Sequence, residues 1–404
     1  MHPDFRRLLT TRFLFTLAVD MQAVVVGWRM YELTLDPLYL GLVGLAEAVP
    51  ALSLALYAGY FVDRSRPVFI YRGVVFASLI SGLVLLGAQL LEGHLGTSMQ
   101  IAAMFVASVL TGIGRAFSQP STLSILPRLW ARKDLSRASA WMSSVRQVAR
   151  IAGPAIGGLV FGFAGALIAK SLIVALLTAS MTFAMLIRVR IEPPENPNAG
   201  SSIGKELMSG IRFVFRHPIL LPAMSLDMIS VLFGGVTALL PVFAQEILFL
   251  GPKGLGLLRA APAVGAVLTA LWLTRANLRH RAGPVLLGSV AGFGVSILLF
   301  AFSRDFYLSM FALGLSGAFD SASTIIRGTA VQLSSPDHMR GRISSVNSMF
   351  IGSSNELGEF ESGVVAKLFG TVPAVYLGGV VCLATVAAIG MLCPSLRKLD
   401  IDSL

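Results

Sequence analysis

The chain has 404 residues, with 32 Lys and Arg against 21 Asp and Glu, for a formal net charge of +11. Only 13% of the residues are charged and 55% are hydrophobic, against about 25% charge in an ordinary soluble domain. A soluble core of this size could not hide so much apolar surface, so the composition points to an integral membrane protein. The positive balance does not mark a nucleic-acid binder, because the basic residues fall in short gaps between apolar runs and not on one continuous face.

About 20 apolar residues cross the hydrocarbon of a bilayer. Twelve such spans are predicted, and their polar residues are the informative ones. Span 1 (10–32) carries Asp20 near its middle, and span 2 (38–60) carries Glu47 and runs into "GYFVDRSRP" with Gly59, Asp63 and Arg64. Span 3 (68–91) is plain, and span 4 (98–126) holds Arg115 deep inside. Span 5 (138–163) has Arg146 and Arg150 one turn apart on one face, followed by "GPAIGG" with Gly153, Pro154, Gly157 and Gly158. Span 6 (165–187) completes a first half at 1–187. Between 188 and 217 a Pro/Asn-rich stretch leads into "IGKELMSGIRFVFR", with Ile203, Leu207, Ile211 and Val214 on one helical face. That segment reads as a helix in the cytoplasmic interface, or as a simple linker. The second half, 218–404, contains span 7 (218–248) with Asp227, span 8 (254–275) with Arg259 and span 9 (284–302). Span 10 (306–333) carries Asp320 deep inside and Arg327 toward its cytoplasmic end. Span 11 (340–367) contains "NELGEFESG" with Glu356, Glu359 and Glu361, and span 12 (371–393) ends the series.

Orientation follows from basic residues in short loops. Arg6 and Arg7 precede span 1, and every even-numbered loop is basic, as with Arg64, Arg66 and Arg72 after span 2 and Arg340 and Arg342 after span 10. Both termini are therefore expected on the cytoplasmic side. The basic N-terminus lacks a small-residue cleavage site, so no signal peptide is expected. The halves also repeat. "GIGRAFSQPST" (112–122) aligns with "GLSGAFDSAST" (314–324) at an offset of 202, "LAVDM" with "MSLDM", and "GLAEAVPA" with "GLLRAAPA", which pairs Asp20 with Asp227 and Glu47 with Arg259. Two duplicated six-span halves place a ligand site at mid-membrane depth.

These features resemble the major facilitator superfamily. Gly59, Asp63 and Arg64 match its Gly-x-x-x-Asp-Arg loop after span 2, although Ser65, Arg66 and Pro67 depart from the rest of the pattern. "GPAIGG" resembles the Gly-Pro-x-x-Gly-Gly motif of the family's exporters, and "NELGEFESG" a run in a bacterial branch that includes macrolide and enterobactin exporters. The resemblance implies an all-α fold of twelve transmembrane helices in two pseudo-symmetric halves. It implies a gate in which Asp63, placed at a helix end where a carboxylate at an N-terminus gains about 0.3–1 kcal/mol, makes and breaks a contact.

A charge at mid-bilayer costs about 2.5–3.5 kcal/mol. Asp20, Asp227, Glu356, Glu359, Asp320, Arg115, Arg146 and Arg150 are therefore expected either to serve transport and proton coupling or to form structural salt bridges. Glu356 and Glu359, three apart, share a face and repel in low dielectric, so at least one is expected to have a raised pKa and to handle a proton or a cationic substrate. The alternative is that Arg146 or Arg150 relieves the repulsion and clamps the helices. No phosphate-binding loop, catalytic triad or metal-like histidine spacing is visible, so no enzyme activity, cofactor or metal is expected. The expected function is proton-coupled efflux of amphipathic organic molecules, drug-like or siderophore-like, by alternating access in a bacterial cytoplasmic (inner) membrane. The alternative is a facilitator that imports a metabolite or flips a lipid. A small-molecule substrate and the lipid bilayer are the expected partners, nucleic acid is not, and a monomer is expected.

Overall fold

The computed structural model describes residues 3–130, 134–189, 203–273, 281–336 and 339–400. Among them the regular structure is entirely helical. The order is α1 (Pro3–Thr34), α2 (Pro37–Asp63), α3 (Pro67–Leu90), α4 (Thr97–Leu129), α5 (Leu135–Met185), α6 (Ile203–Arg216) and α7 (Leu220–Gly234). A short 3₁₀ turn, α8 (Leu240–Val242) and a π turn (Phe243–Ile247) follow. Then come α9 (Gly251–Leu273), α10 (Ala282–Phe302), α11 (Phe306–Leu333), α12 (Arg340–Phe369), α13 (Thr371–Leu392) and α14 (Pro394–Arg397).

Nine helical stretches among the described residues are long and apolar enough to cross a membrane. Twelve spans result because α5 contains two, joined at Gly165, and because α11 and α12 are long but richer in polar residues. Gly165 has φ +85° and ψ 173°, a conformation open only to glycine, and it separates arms 135–164 and 166–185. Span 7 departs from the continuous helix expected over 218–248. It breaks at Gly235, after the Gly234–Gly235 pair, and Pro241, which lacks a backbone donor, follows. The Gly235 carbonyl is satisfied by Ser362 Oγ of α12 at 3.2 Å. Ser362 thus gives the polar stretch of α12 one structural task.

The chain divides into two compact units, Met1–Ala199 with Leu250–Leu257, and Gly200–Phe249 with Leu258–Leu404. In the first unit, prolines open α2 and α3 at the position where a missing N–H is harmless. Asp36 caps α2 by accepting from the Leu38 amide at 3.0 Å. Phe5, Leu8, Tyr71, Ile125, Leu129 and Met142 close the end of the unit that holds the N-terminus, where Phe5 and Trp130 meet edge to face at 5.2 Å. Arg72 binds the orphan carbonyls at the end of α5, with Nε 3.1 Å from the Ala184 oxygen. In the second unit, Ile211 and Val214 of α6 pack on Leu220, Met224, Val331, Ile343 and Val346. Ile211 and Val214, the described part of the α6 stripe, therefore cover protein at this end. A second cluster joins Leu226, Leu286, Ile326, Ala330, Cys382 and Leu396.

Candidate functional site

In the first unit α1 runs against α5, and at Gly153 and Gly157 no α5 side chain stands between them. A Cβ on Gly153 would lie 2.8 Å from the Asp20 Cβ, and one on Gly157 would lie 2.9 Å from the Met21 Cα. A Cβ on Gly158 would run into the Gly256 backbone at the start of α9. Pro154 sits inside the same helix. The "GPAIGG" run is thus a two-sided small-residue surface, with Gly153 and Gly157 toward α1 and Gly158 toward α9. Small residues let helix backbones approach this closely. The packing fixes Asp20 against α5, the helix that carries Arg146 and Arg150.

Asp20 is the unusual group. Its Oδ2 is buried and has no hydrogen-bond partner among the described residues. The charges that act on it are Arg150, Arg115 and Arg12, and also Glu47. Arg115 Nη1 pairs with Glu47 Oε1 at 2.5 Å and joins α2 to α4. Arg12, which sequence reasoning did not single out as a site residue, is buried and donates to Ser118 and Thr122 of α4. The signal for it was its position eight residues before Asp20, on the same face of α1. Arg146 lies in the field of Arg12 and Arg150. Two residues past Asp20, the buried Gln22 donates to Ser81 at 2.8 Å and to Thr111 at 3.1 Å, tying α1 to α3 and α4.

The second unit treats its repeat-related aspartate differently. Asp227 forms an ion pair with Arg327, and both side chains are buried, at 8% and 3% exposure. This joins α7 to α11 and gives Asp227 the structural role that was one of its two expected readings. Carrying the 202-residue offset three residues beyond the aligned block sets Ile125 opposite Arg327, and Ile125 is fully buried. The first unit therefore lacks the arginine that clamps Asp227. Asp320 is accessible on α11 and Glu359 is half-buried on α12. Gly358 packs on the backbone of Leu232 in α7, so α12 meets α7 through a glycine. The Glu356 side chain lies outside the described residues.

Gly59 and Asp63 fall on the last turns of α2, and Arg64 is its exposed C-cap. Asp63 is thus at a helix C-terminus, where the dipole opposes a carboxylate, and not at the stabilised N-terminus expected. Its side chain lies outside the described residues. At the opposite end of the first unit is a polar network that the sequence did not reveal. Arg29 pairs with Glu32 at 2.7 Å and with Glu92, Gln89 bonds to Glu92, and the buried Lys170 donates to Gln89 Oε1 at 2.7 Å. Lys170 is one lysine in a long apolar helix, which was the available signal.

A chain of twelve membrane-spanning helices, with small-residue helix contacts and charged groups in mid-span, defines a polytopic membrane transporter of the major facilitator fold and not an enzyme. The transmembrane secretion effector family model matches residues 1–404, and the chain belongs to that family. It is 25% identical to the enterobactin exporter EntS of Escherichia coli O1:K1 / APEC over 355 residues, covering 85% of this chain and 81% of that protein. The same identity and coverage hold for the enterobactin exporter EntS of Shigella boydii serotype 18. Among solved structures, a bacterial homologue of the iron transporter ferroportin in an inward-facing state superposes with a TM-score of 0.73 at 16% identity, covering 98% of this chain and 99% of that one. A POT family transporter in complex with 5-aminolevulinic acid superposes with a TM-score of 0.77 at 12% identity, covering 98% and 97%. At such identities the likeness is one of fold.

Proposed function

We propose that the protein exports amphipathic organic molecules from the cytoplasm by alternating access, and that inward proton movement drives it. The supporting observation is the asymmetry between two repeat-related aspartates. Asp227 is locked in a buried ion pair, whereas a buried oxygen of Asp20 has no partner. A carboxylate held in a span without a dedicated partner is the kind of group that can take up and release a proton during a cycle. Arg115, Arg146 and Arg150 adjust its field; Asp320, Glu356 and Glu359 are the further transport candidates, and Gly59, Asp63 and Arg64 form the gate. Similarity to enterobactin exporters supports the outward direction and a siderophore-like or drug-like cargo. It also supports placement in the bacterial inner membrane, and the basic loops support cytoplasmic placement of both termini. The reading takes the protein as a monomer.

The test uses purified protein in liposomes loaded with a fluorescent amphipathic dye under an imposed pH gradient. Wild-type protein should move the dye against its own gradient. Asp20→Asn should keep downhill exchange but lose the gradient-driven component and its pH dependence. Undiminished pH-driven transport in Asp20→Asn would remove the coupling role, and absence of any dye movement in the wild type would remove the export reading for such molecules.

A further inference from the structure

Among the described residues of the first unit, the arginines that act on Asp20 and on one another outnumber the acids beside them. In the first unit α1, α4 and the first arm of α5 contribute Arg12, Arg115, Arg146 and Arg150, while Asp20 and Glu47 are the acids of the set. Glu47 is already committed to Arg115. Arg12 Nη1 donates to the hydroxyls of Ser118 and Thr122, which supply no charge. Arg146 and Arg150 stand four residues apart on α5 and take part in no hydrogen bond or ion pair among the described residues. Arg146 is half-buried, and Arg150 is accessible.

Arginine in a span is among the costliest residues a membrane protein can carry, and such groups are paired or face water. Here two of them lie about 6 Å apart along the helix axis, given about 1.5 Å of rise per residue. Each presents a planar fork of donors that matches an oxyanion in two-point geometry. A cation at this position would meet the field of several guanidinium groups and a single unpaired aspartate. An anion would meet the reverse.

We propose that the first unit recognises an oxyanion on the cargo, such as a carboxylate on an apolar body, through Arg146 and Arg150. Asp20 is the internal anion that balances these arginines when the site is empty. This deepens the transporter reading above, on which only the word cargo depends; the binding site itself stands on the excess of arginine.

Charge can be isolated with three probes that share one apolar body: pyrenebutyrate, its methyl ester, and a pyrene carrying a trimethylammonium group. Binding to the full-length protein in nanodiscs is read by energy transfer from tryptophan to pyrene. The acid should bind at least ~10-fold more tightly than the ester, and the cation more weakly than the ester. The Arg146→Gln/Arg150→Gln double variant should abolish the preference for the acid, and the Arg146→Lys/Arg150→Lys variant should keep part of it. Taking the acid-to-ester ratio in wild type over that in the glutamine variant cancels lipid partitioning. An ester that binds as tightly as the acid in wild type overturns the proposal and needs no variant. So does the cation binding most tightly, no binding by any probe, or an unchanged ratio in the glutamine variant. Equal gradient-driven export of acid and ester would leave the export reading standing and remove anion selectivity. Selective binding of the acid without any driven movement would do the opposite.

Discussion

Replacing Asp227 by leucine removes one partner of a pair whose side chains are only 8% and 3% exposed. Arg327 then stays buried between α7 and α11 with its charge uncompensated. Breaking a buried pair in this way costs about 3–5 kcal/mol, and an unpaired arginine costs about 2.5–3.5 kcal/mol at the bilayer centre on insertion scales and less toward the end of a span, where Arg327 lies. Within a membrane the unfolded helices find alternative polar partners, which favours the low end. We take about 3 kcal/mol. At about 2–4 °C per kcal/mol for a unit of about 200 residues, the unfolding midpoint should drop by about 6–12 °C. The double variant Asp227→Leu/Arg327→Met exchanges the pair for apolar groups of similar size, and such exchanges are often neutral or stabilising. It should recover most of the loss. Asp20→Asn, made in parallel, should lower the midpoint by less than Asp227→Leu does, because Asp20 balances its arginines through the field and breaks no direct ion pair when neutralised. The assay is thermal unfolding in one detergent, followed by tryptophan fluorescence and by retention of a monodisperse peak. An Asp227→Leu midpoint within about 2 °C of wild type, or a double variant no better than the single, would refute the clamp.

Gly158→Ala should push α5 away from α9, since the added methyl would meet the Gly256 backbone; gradient-driven dye export should fall at least ~10-fold, and wild-type export would show that the close approach is dispensable. His217 accepts the Ile219 and Leu220 amides at 3.3 Å through Nδ1, and burial holds its imidazole below the ordinary value. A lowered histidine pKa means the folded state binds fewer protons than the unfolded state, so this contribution is complete above about pH 6.5 and is lost as the pH falls below it. Unfolding midpoints should therefore drop between pH 8 and pH 5 more in wild type than in His217→Ala, which should itself lose about 1 kcal/mol at pH 8 with its cap; parallel pH curves would exclude the effect. Asp63→Asn should slow transport while leaving expression and substrate affinity near wild type, as a steady-state uptake series would show; lost expression would point to a purely structural motif. A cysteine at Glu195 should resist an impermeant thiol reagent in intact cells and react after lysis, and labelling from outside would reverse the orientation.

The spans were legible because hydropathy reports depth in a bilayer, and depth is what a run of apolar residues encodes. The joint near residue 164 was legible as well, since Gly165 stands between two apolar runs. Azimuth and partner choice were not. Asp227 and Arg327 are one hundred residues apart, and nothing in either local sequence says that α7 and α11 turn those faces together. The same holds for Arg12, whose partners Ser118 and Thr122 are ordinary helix residues until α1 and α4 are seen side by side. The break at Gly235 was hidden because its flanks are uniformly apolar, so the window average passes across it. The glycine motif of α5 was visible as a motif, but its division between two neighbouring helices needed coordinates.

Joining two spans through a single left-handed glycine has a mechanical consequence. A connecting loop of several residues has slack, and one helix can tilt or slide while its neighbour stays still. Across Gly165 there is no such backlash. The first arm carries the glycine contacts to α1 and α9, and the second arm begins only four residues before Lys170, the end of the polar network of Gln89, Glu92 and Arg29. The first arm and that network are therefore joined by a single residue of backbone, and an inserted tag or a lengthened turn there should loosen any coupling between the two.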